Sequence, residues 1–179
     1  MCVKNRKASG YTFVELMVSI AIVSILSVMG MNQYQDYLIK VRATEALLLA
    51  DSAKKAVTEN AVMGAAFASG WRAPNPYPPY VKLIWISPSD GVIVIRFNAK
   101  KVGQKFGVDY DLWLSPKDAG VDGLQSNYLT GWATGSQIPL GQILWSCRSE
   151  GTTGIWSKSN FPAKWAPEAC KGTAYRQGE

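Results

Sequence analysis

One carboxylate stands inside an otherwise apolar segment. Glu15 is the only charged residue between Lys7 and Asp36, and residues 14–31 otherwise consist of Leu, Ile, Val, Met, Ala, Ser and Gly. A segment of this length and composition predicts a membrane-spanning helix. A carboxylate in such a span is costly and usually has a functional partner. The chemistry indicated by Glu15 is therefore ion pairing with a cation.

The residues that most often support catalysis are missing or poorly placed. The sequence contains no histidine, which removes the commonest general base and metal ligand. Asp109, Asp111, Asp118 and Asp122 lie close together, but residues 118–123 lack the alternating ligands and terminal glutamate of an EF-hand, which favours a solvated turn. Nucleotide-binding, nucleophile-elbow and Cys-x-x-Cys motifs are also missing. We therefore expect no catalytic residues, no metal and no cofactor.

The chain is basic, with a formal net charge of +6. Three of its basic residues directly precede the apolar segment, where they indicate membrane topology: Lys4, Arg6 and Lys7. Three others follow the second predicted strand: Lys100, Lys101 and Lys105. With aromatic residues such as Trp71, Tyr77 and Trp132, this second group could form a surface for DNA. A solvated edge whose lysines discourage strand association is the favoured alternative.

The elements that position these residues begin with a long helix. Beyond the apolar segment, small apolar residues recur every three or four positions on one face: Ala43, Ala46, Ala50, Ala53, Val57 and Ala61. Asp51, Lys55 and Glu59 lie on the opposite face, four residues apart. Because the proline-rich residues 71–79 cannot be helical, we expect one helix over residues 11–63. Its first part, 11–31, spans the membrane, and its second part, 32–63, packs on a C-terminal head.

Four short β-rich segments follow a connecting loop at residues 64–80: 81–86, 92–97, 110–114 and 141–147. The first two are joined by a Ser-Pro-Ser-Asp-Gly hairpin signal. One helix followed by four strands predicts an α+β fold, with an antiparallel sheet over residues 81–147 packed on the helix. Cys147 and Cys170 form an even pair beyond the export segment, which suggests a disulfide enclosing residues 147–170. Residues 171–179 form a tail.

The N-terminal residues resemble the class III signal of type IVa-like prepilins. The resemblance rests on Lys-Ala-Ser-Gly-Tyr-Thr-Phe-Val-Glu-Leu at 7–16, about twenty apolar residues, and Gln-Tyr-Gln-Asp-Tyr at 33–37. In that family a membrane peptidase cuts after the glycine and methylates the new N-terminus. The resemblance implies a cleaved leader at 1–10, cleavage between Gly10 and Tyr11, and N-methylation of Tyr11. It also implies that Glu15 pairs with the ammonium group of a neighbouring subunit.

The resemblance further implies a structural subunit of a type IV pilus. Such a subunit waits in the inner membrane of a Gram-negative-type bacterium and polymerises through its apolar helix into an extracellular filament. Its partners would be copies of itself, the prepilin peptidase and the assembly machinery, and its roles adhesion, twitching motility or DNA uptake. The alternatives are a minor or competence pilin that binds DNA, a type II secretion pseudopilin and an anchored enzyme. The disulfide-bounded C-terminal region, typical of type IV pilins, favours a true pilin.

Overall fold

A computed structural model describes residues 10–102, 108–121, 127–150 and 159–171. The chain divides into two compact units, with the boundary between Asp36 and Tyr37. The described residues exclude positions 1–9 of the predicted leader, most of the predicted tail, Lys105 and Asp122.

The chain opens with two consecutive helices, α1 (Phe13–Leu49) and α2 (Asp51–Val62). The Ala50 N–H donates to the Ala46 carbonyl at 3.1 Å, and the Lys54 N–H donates to the Ala50 carbonyl at 3.0 Å, so the hydrogen-bond pattern continues across the junction. All six small apolar residues of the predicted stripe are buried. Gly64 takes a positive φ of 67° just beyond α2, as helix-terminating glycines commonly do.

Over the described residues, the sheet contains five antiparallel strands: β1 (Val81–Ile86), β2 (Ile93–Phe97), β3 (Tyr110–Asp118), β4 (Asn127–Tyr128) and β5 (Ile143–Arg148). A short helix, α3 (Ala99–Val102), lies between β2 and β3. β2 and β5 pair with opposite edges of β3, and β4 pairs with the end of β3 beyond β2. All four predicted strands form, and the two-residue β4 joins them. β3 extends four residues beyond its predicted end at Leu114, because residues 113–118 pair with β5.

The inner face of the sheet forms the core of the second unit. Ile84, Ile95 and Leu112 occupy adjacent positions on β1, β2 and β3, and all three are buried. Phe67 from the connecting loop and Phe97 at the end of β2 are fully buried. The free edge of β1 is protected by Tyr77, whose hydroxyl accepts a hydrogen bond from the Ile84 N–H at 3.2 Å. The expected α+β fold is confirmed.

The C-terminal region is fixed to the sheet by the expected disulfide between Cys147 and Cys170, whose Cα atoms are 4.4 Å apart. Beyond the last β3–β5 pair, Asn160 takes over as a partner of β3: its side-chain oxygen accepts the Asp111 N–H at 2.6 Å. The Phe161 ring is fully buried, 5.0 Å from the ring of Phe97. Phe161 and Cys170 therefore belong to the hydrophobic core.

The expected solvated turn after Asp118 is wrong for the aspartate itself. Asp118 is only 8% exposed, and its carboxylate accepts the N–H groups of Gly120, Leu140 and Gly141 at 2.9, 2.7 and 2.8 Å. Burial raises the pKa of Asp118, but the three backbone donors outweigh it, and the net effect is a pKa below the ordinary value. Asp118 holds together two loops that lie far apart in sequence.

A candidate assembly site at the N-terminus

Glu15 lies in the first turn of α1, three residues after Thr12, which caps the helix. The Thr12 N–H and the Thr12 hydroxyl both donate to Glu15 Oε2 at 3.2 Å, and the Glu15 N–H donates to Thr12 Oγ1 at 3.3 Å. These reciprocal bonds are those of a capping box, which satisfies backbone donors left free at a helix start. The sequence analysis missed this role of Thr12, although the Thr-x-x-Glu spacing was its signal.

The peptide before the helix is open to a partner. Gly10 is exposed, and a Cβ atom built on it would meet nothing within 4 Å. Tyr11 is 84% exposed. Neither packing nor a positive φ requires glycine at position 10. Any requirement for glycine there must therefore come from another molecule that binds this segment.

The first part of α1 has no apolar partner in its own unit. Every large apolar side chain from Phe13 to Met31 is at least half exposed. Among the described residues, one helical stretch is long and apolar enough to cross a membrane, judged by length and composition: Phe13–Val62, which comprises α1 and α2. A continuous apolar surface of this size needs lipid or other protein around it.

The polar groups of this segment are satisfied within the helix. The hydroxyls of Ser19, Ser24 and Ser27 donate to the carbonyls four residues earlier at 2.7, 2.6 and 2.7 Å. Such bonding lets serine enter an apolar environment without an unpaired donor. Glu15 is the one formally charged group between Phe13 and Met31.

The predicted DNA-contact lysines are only partly brought together. Lys100 and Lys101 lie exposed on α3, and Arg42 donates to the carbonyls of Lys101 and Val102 at 3.1 and 2.7 Å. Lys105 lies outside the described residues.

The aromatic residues expected to join these lysines lie elsewhere. Trp71 donates from its indole to Ser52, midway along the helix. Trp132 belongs to a turn bonded to Gly64, at the end of α2. Arg42 and Gly64 are about 22 residues apart, or about 33 Å along a helix. Trp71 and Trp132 therefore lie away from the two lysines of α3.

Asp109 and Asp111, two of the four clustered aspartates, form ion pairs. Asp109 pairs with Lys82 at 2.7 Å, and this hydrogen bond lowers the pKa of the Asp109 carboxyl. Asp111 binds Arg96 through two contacts of 2.8 Å between paired positions of β2 and β3, which raises the pKa of Arg96. Among the described residues no cluster of metal-ligand type is present.

Comparison with known proteins places these features in one family. A model of the prokaryotic N-terminal methylation motif matches residues 5–31, and a model of the pilin family of bacterial filaments matches residues 40–171. The type IV major pilin PilE of Neisseria gonorrhoeae is 33% identical over 65% of this chain and 73% of its own length. The fimbrial protein EcpC of Eikenella corrodens is 28% identical over 92% of both chains. With its capped apolar N-terminal helix and its disulfide-bounded head, the chain belongs to the type IV pilin family of filament subunits.

Proposed function

We propose that this pilin is inserted in the inner membrane, cut between Gly10 and Tyr11 by a prepilin peptidase, methylated at Tyr11 and polymerised into an extracellular filament. The observation that carries the proposal is the exposed apolar surface from Phe13 to Met31, with its carboxylate held at the N-terminal end. Cleavage before the helix, rather than after it, leaves this surface on the mature chain. Copies then exchange lipid contacts for contacts with one another.

Cleavage places a positive charge next to the capping box. The new ammonium group is on Tyr11, one residue before Thr12, whose N–H already holds the Glu15 carboxylate. Before assembly, Glu15 can stay with its own chain and avoid an unpaired charge in lipid. In the filament it pairs with the ammonium of a neighbouring subunit. The exchange releases hydrogen bonds of 3.2 Å, each worth only about 1 kcal/mol net.

The Glu15→Gln variant separates the charge of Glu15 from its capping role. Glutamine also closes a capping box, so the helix start is preserved while the negative charge is lost. We expect Glu15→Gln and Glu15→Ala to be inserted and processed, but to yield few or no sheared fibres. Immunoblots of membranes and electron microscopy of sheared material measure the two steps separately.

Thr12→Val is the matched control, since it removes the cap and keeps the carboxylate. We expect this variant to form fibres. Abundant fibres from Glu15→Gln would contradict the charge-pairing role and would leave Glu15 as a helix cap only.

DNA uptake is the second candidate role, beside adhesion and motility. It is favoured by two consecutive exposed cations of α3, Lys100 and Lys101. If fibres bind DNA there, replacing Lys100, Lys101 and Lys105 by alanine lowers DNA retention and weakens its dependence on salt. Retention by the variant that equals the parent at both low and high salt would reject this role. Copy number in the same fibres separates a major from a minor pilin.

A further inference from the structure

A groove of about 450 Å³ opens on the second unit between α2 and β5. The assembly site does not include it, since all of its lining residues lie in the second unit. Five lining side chains come from one side of α2 and the sixth from the sheet: Asp51, Lys54, Lys55, Thr58, Glu59 and Trp145. Its volume falls in the range of small-molecule sites.

Trp145 forms the aromatic wall of this groove. It lies on β5, is partly buried and packs against the core, which fixes the position of its indole. Its indole N–H donates to no other residue that the structure describes. A rigid aromatic face with a free donor at its edge is suited to a ligand that is apolar on one face and polar around its rim.

The rim of the groove is polar and electrically balanced, with two carboxylates and two ammonium groups. Lys54 and Asp51 pair with each other at 3.0 Å. Lys55 and Glu59 are exposed, and neither lies within ion-pair distance of an opposite charge among the described residues. They stand four residues apart with lysine first, the weaker order for a pair within one helix. Both groups are therefore available to a ligand.

The balance of charge selects the class of ligand. A polyanion such as DNA needs a surplus of cations, which this rim lacks. Thr58 donates its hydroxyl proton to the Lys54 carbonyl at 2.9 Å, so its oxygen remains free to accept. The rim thus offers donors from Lys55 and the indole, and acceptors from Glu59 and Thr58. A neutral polyol with alternating donors and acceptors satisfies both kinds of group.

We propose that this groove binds a saccharide, with the C–H face of one pyranose ring stacked on Trp145 and its hydroxyls bonded to Lys55 and Glu59. The inference rests on the proposed filament function, to which it adds a ligand class for adhesion. A neighbouring subunit is the competing occupant of the groove. The two occupants can be told apart by comparing free protein with fibres, because a neighbouring subunit would close the groove upon assembly and a saccharide would not.

The test uses the full-length protein in detergent micelles and, separately, sheared fibres. Both are passed over a panel of immobilised neutral mono- and disaccharides, with a blank surface as reference. We expect at least one saccharide to retain both forms, and Trp145→Ala and Glu59→Ala each to weaken retention roughly tenfold. Glu59→Ala alters an exposed rim residue, so its effect does not depend on refolding of the core.

Trp132→Ala is the matched control, since Trp132 is 60% exposed and lies outside the groove. Its retention should equal that of the parent. The proposal is overturned if no saccharide retains the protein above the blank, if Glu59→Ala binds as the parent does, or if micelles bind and fibres do not. Saccharide binding by a chain that forms no fibres would instead support the groove and refute the filament function.

Discussion

At the scale of single residues, Asp118 is the most consequential side chain of the head. It joins the end of β3 to Leu140 and Gly141 through backbone donors. Removing the carboxylate in Asp118→Ala leaves three donors without their charged acceptor, which should lower the free energy of unfolding by about 3 kcal/mol. Urea unfolding of the detergent-solubilised protein, followed by tryptophan fluorescence, measures this loss.

Asp90→Ala is the comparison variant, because Asp90 also closes a turn but accepts a single bond, from the Val92 N–H at 3.2 Å. Its loss should be about 1 kcal/mol. Equal losses from the two variants would contradict the organising role of Asp118.

The contribution of Asp118 depends on pH in a defined direction. Its pKa in the folded protein is depressed, so its stabilisation is present above the pKa of the unfolded chain and is lost as the pH falls through the folded value. The difference in unfolding free energy between the parent and Asp118→Asn should therefore be constant near neutral pH and shrink in acid. A difference that grew on acidification would show that another group dominates.

Sequence reasoning reached some residue roles and missed others for physical reasons. The charge of Glu15 is visible because its neighbours are apolar over a whole span. Two of the three partners of Asp118 are backbone N–H groups some twenty residues further along the chain, and backbone donors carry no sequence signal. The helix face provides a third example: Asp51 pairs with Lys54, one turn away, rather than with Lys55 as the four-residue spacing predicted.

At the scale of elements, the disulfide joins the last strand to the C-terminal turn. The Ser149 hydroxyl donates to the Cys170 carbonyl at 2.8 Å, next to the bridge that joins β5 to the 3-10 turn at Glu168–Cys170. Replacing Cys147 and Cys170 by serine should lower the free energy of unfolding by about 3 kcal/mol, since the unfolded chain regains the freedom of a closed loop. Urea midpoints measured with and without reductant report the loss.

Cys2→Ser is the matched control, because it changes a cysteine of the leader and leaves the bridge intact. Its midpoint should equal that of the parent, and reductant should lower the parent towards the double variant. A double variant as stable as the parent would mean that the packing of Phe161 holds the region without the bridge.

The elements themselves were largely predictable. Periodicity located the second half of α1 and α2, because burial repeats every 3.6 residues on a helix. Apolar composition located the first half of α1, and β-rich composition located the four longer strands. The end of β3 was missed because Pro116 interrupts the alternation of apolar and polar residues. In the structure Pro116 is nevertheless part of β3 and lies opposite Trp145 of β5. β4 is too short, at two residues, to leave a pattern.

At the scale of the whole molecule, the two units place their apolar residues in opposite ways. In the second unit, Ala43, Ala53 and Val57 are covered by the head. In the first unit, the apolar side chains are exposed along its length. One apolar surface of this chain is buried and another is exposed, so the two units suit different environments. The second unit suits water, and the exposed apolar helix from Phe13 to Met31 suits lipid or contact with other copies of the chain.

The central claim is that the apolar helix from Phe13 to Met31 stays on the mature chain after cleavage and forms the contact between subunits. Mass spectrometry of fibres sheared from the cell surface tests it most directly. The account predicts an intact chain that begins at Tyr11 and carries the added mass of one methyl group. Recovery of only the uncut chain from Met1, confined to the inner membrane, or of surface fibres whose chains have lost residues 13–31, would contradict it.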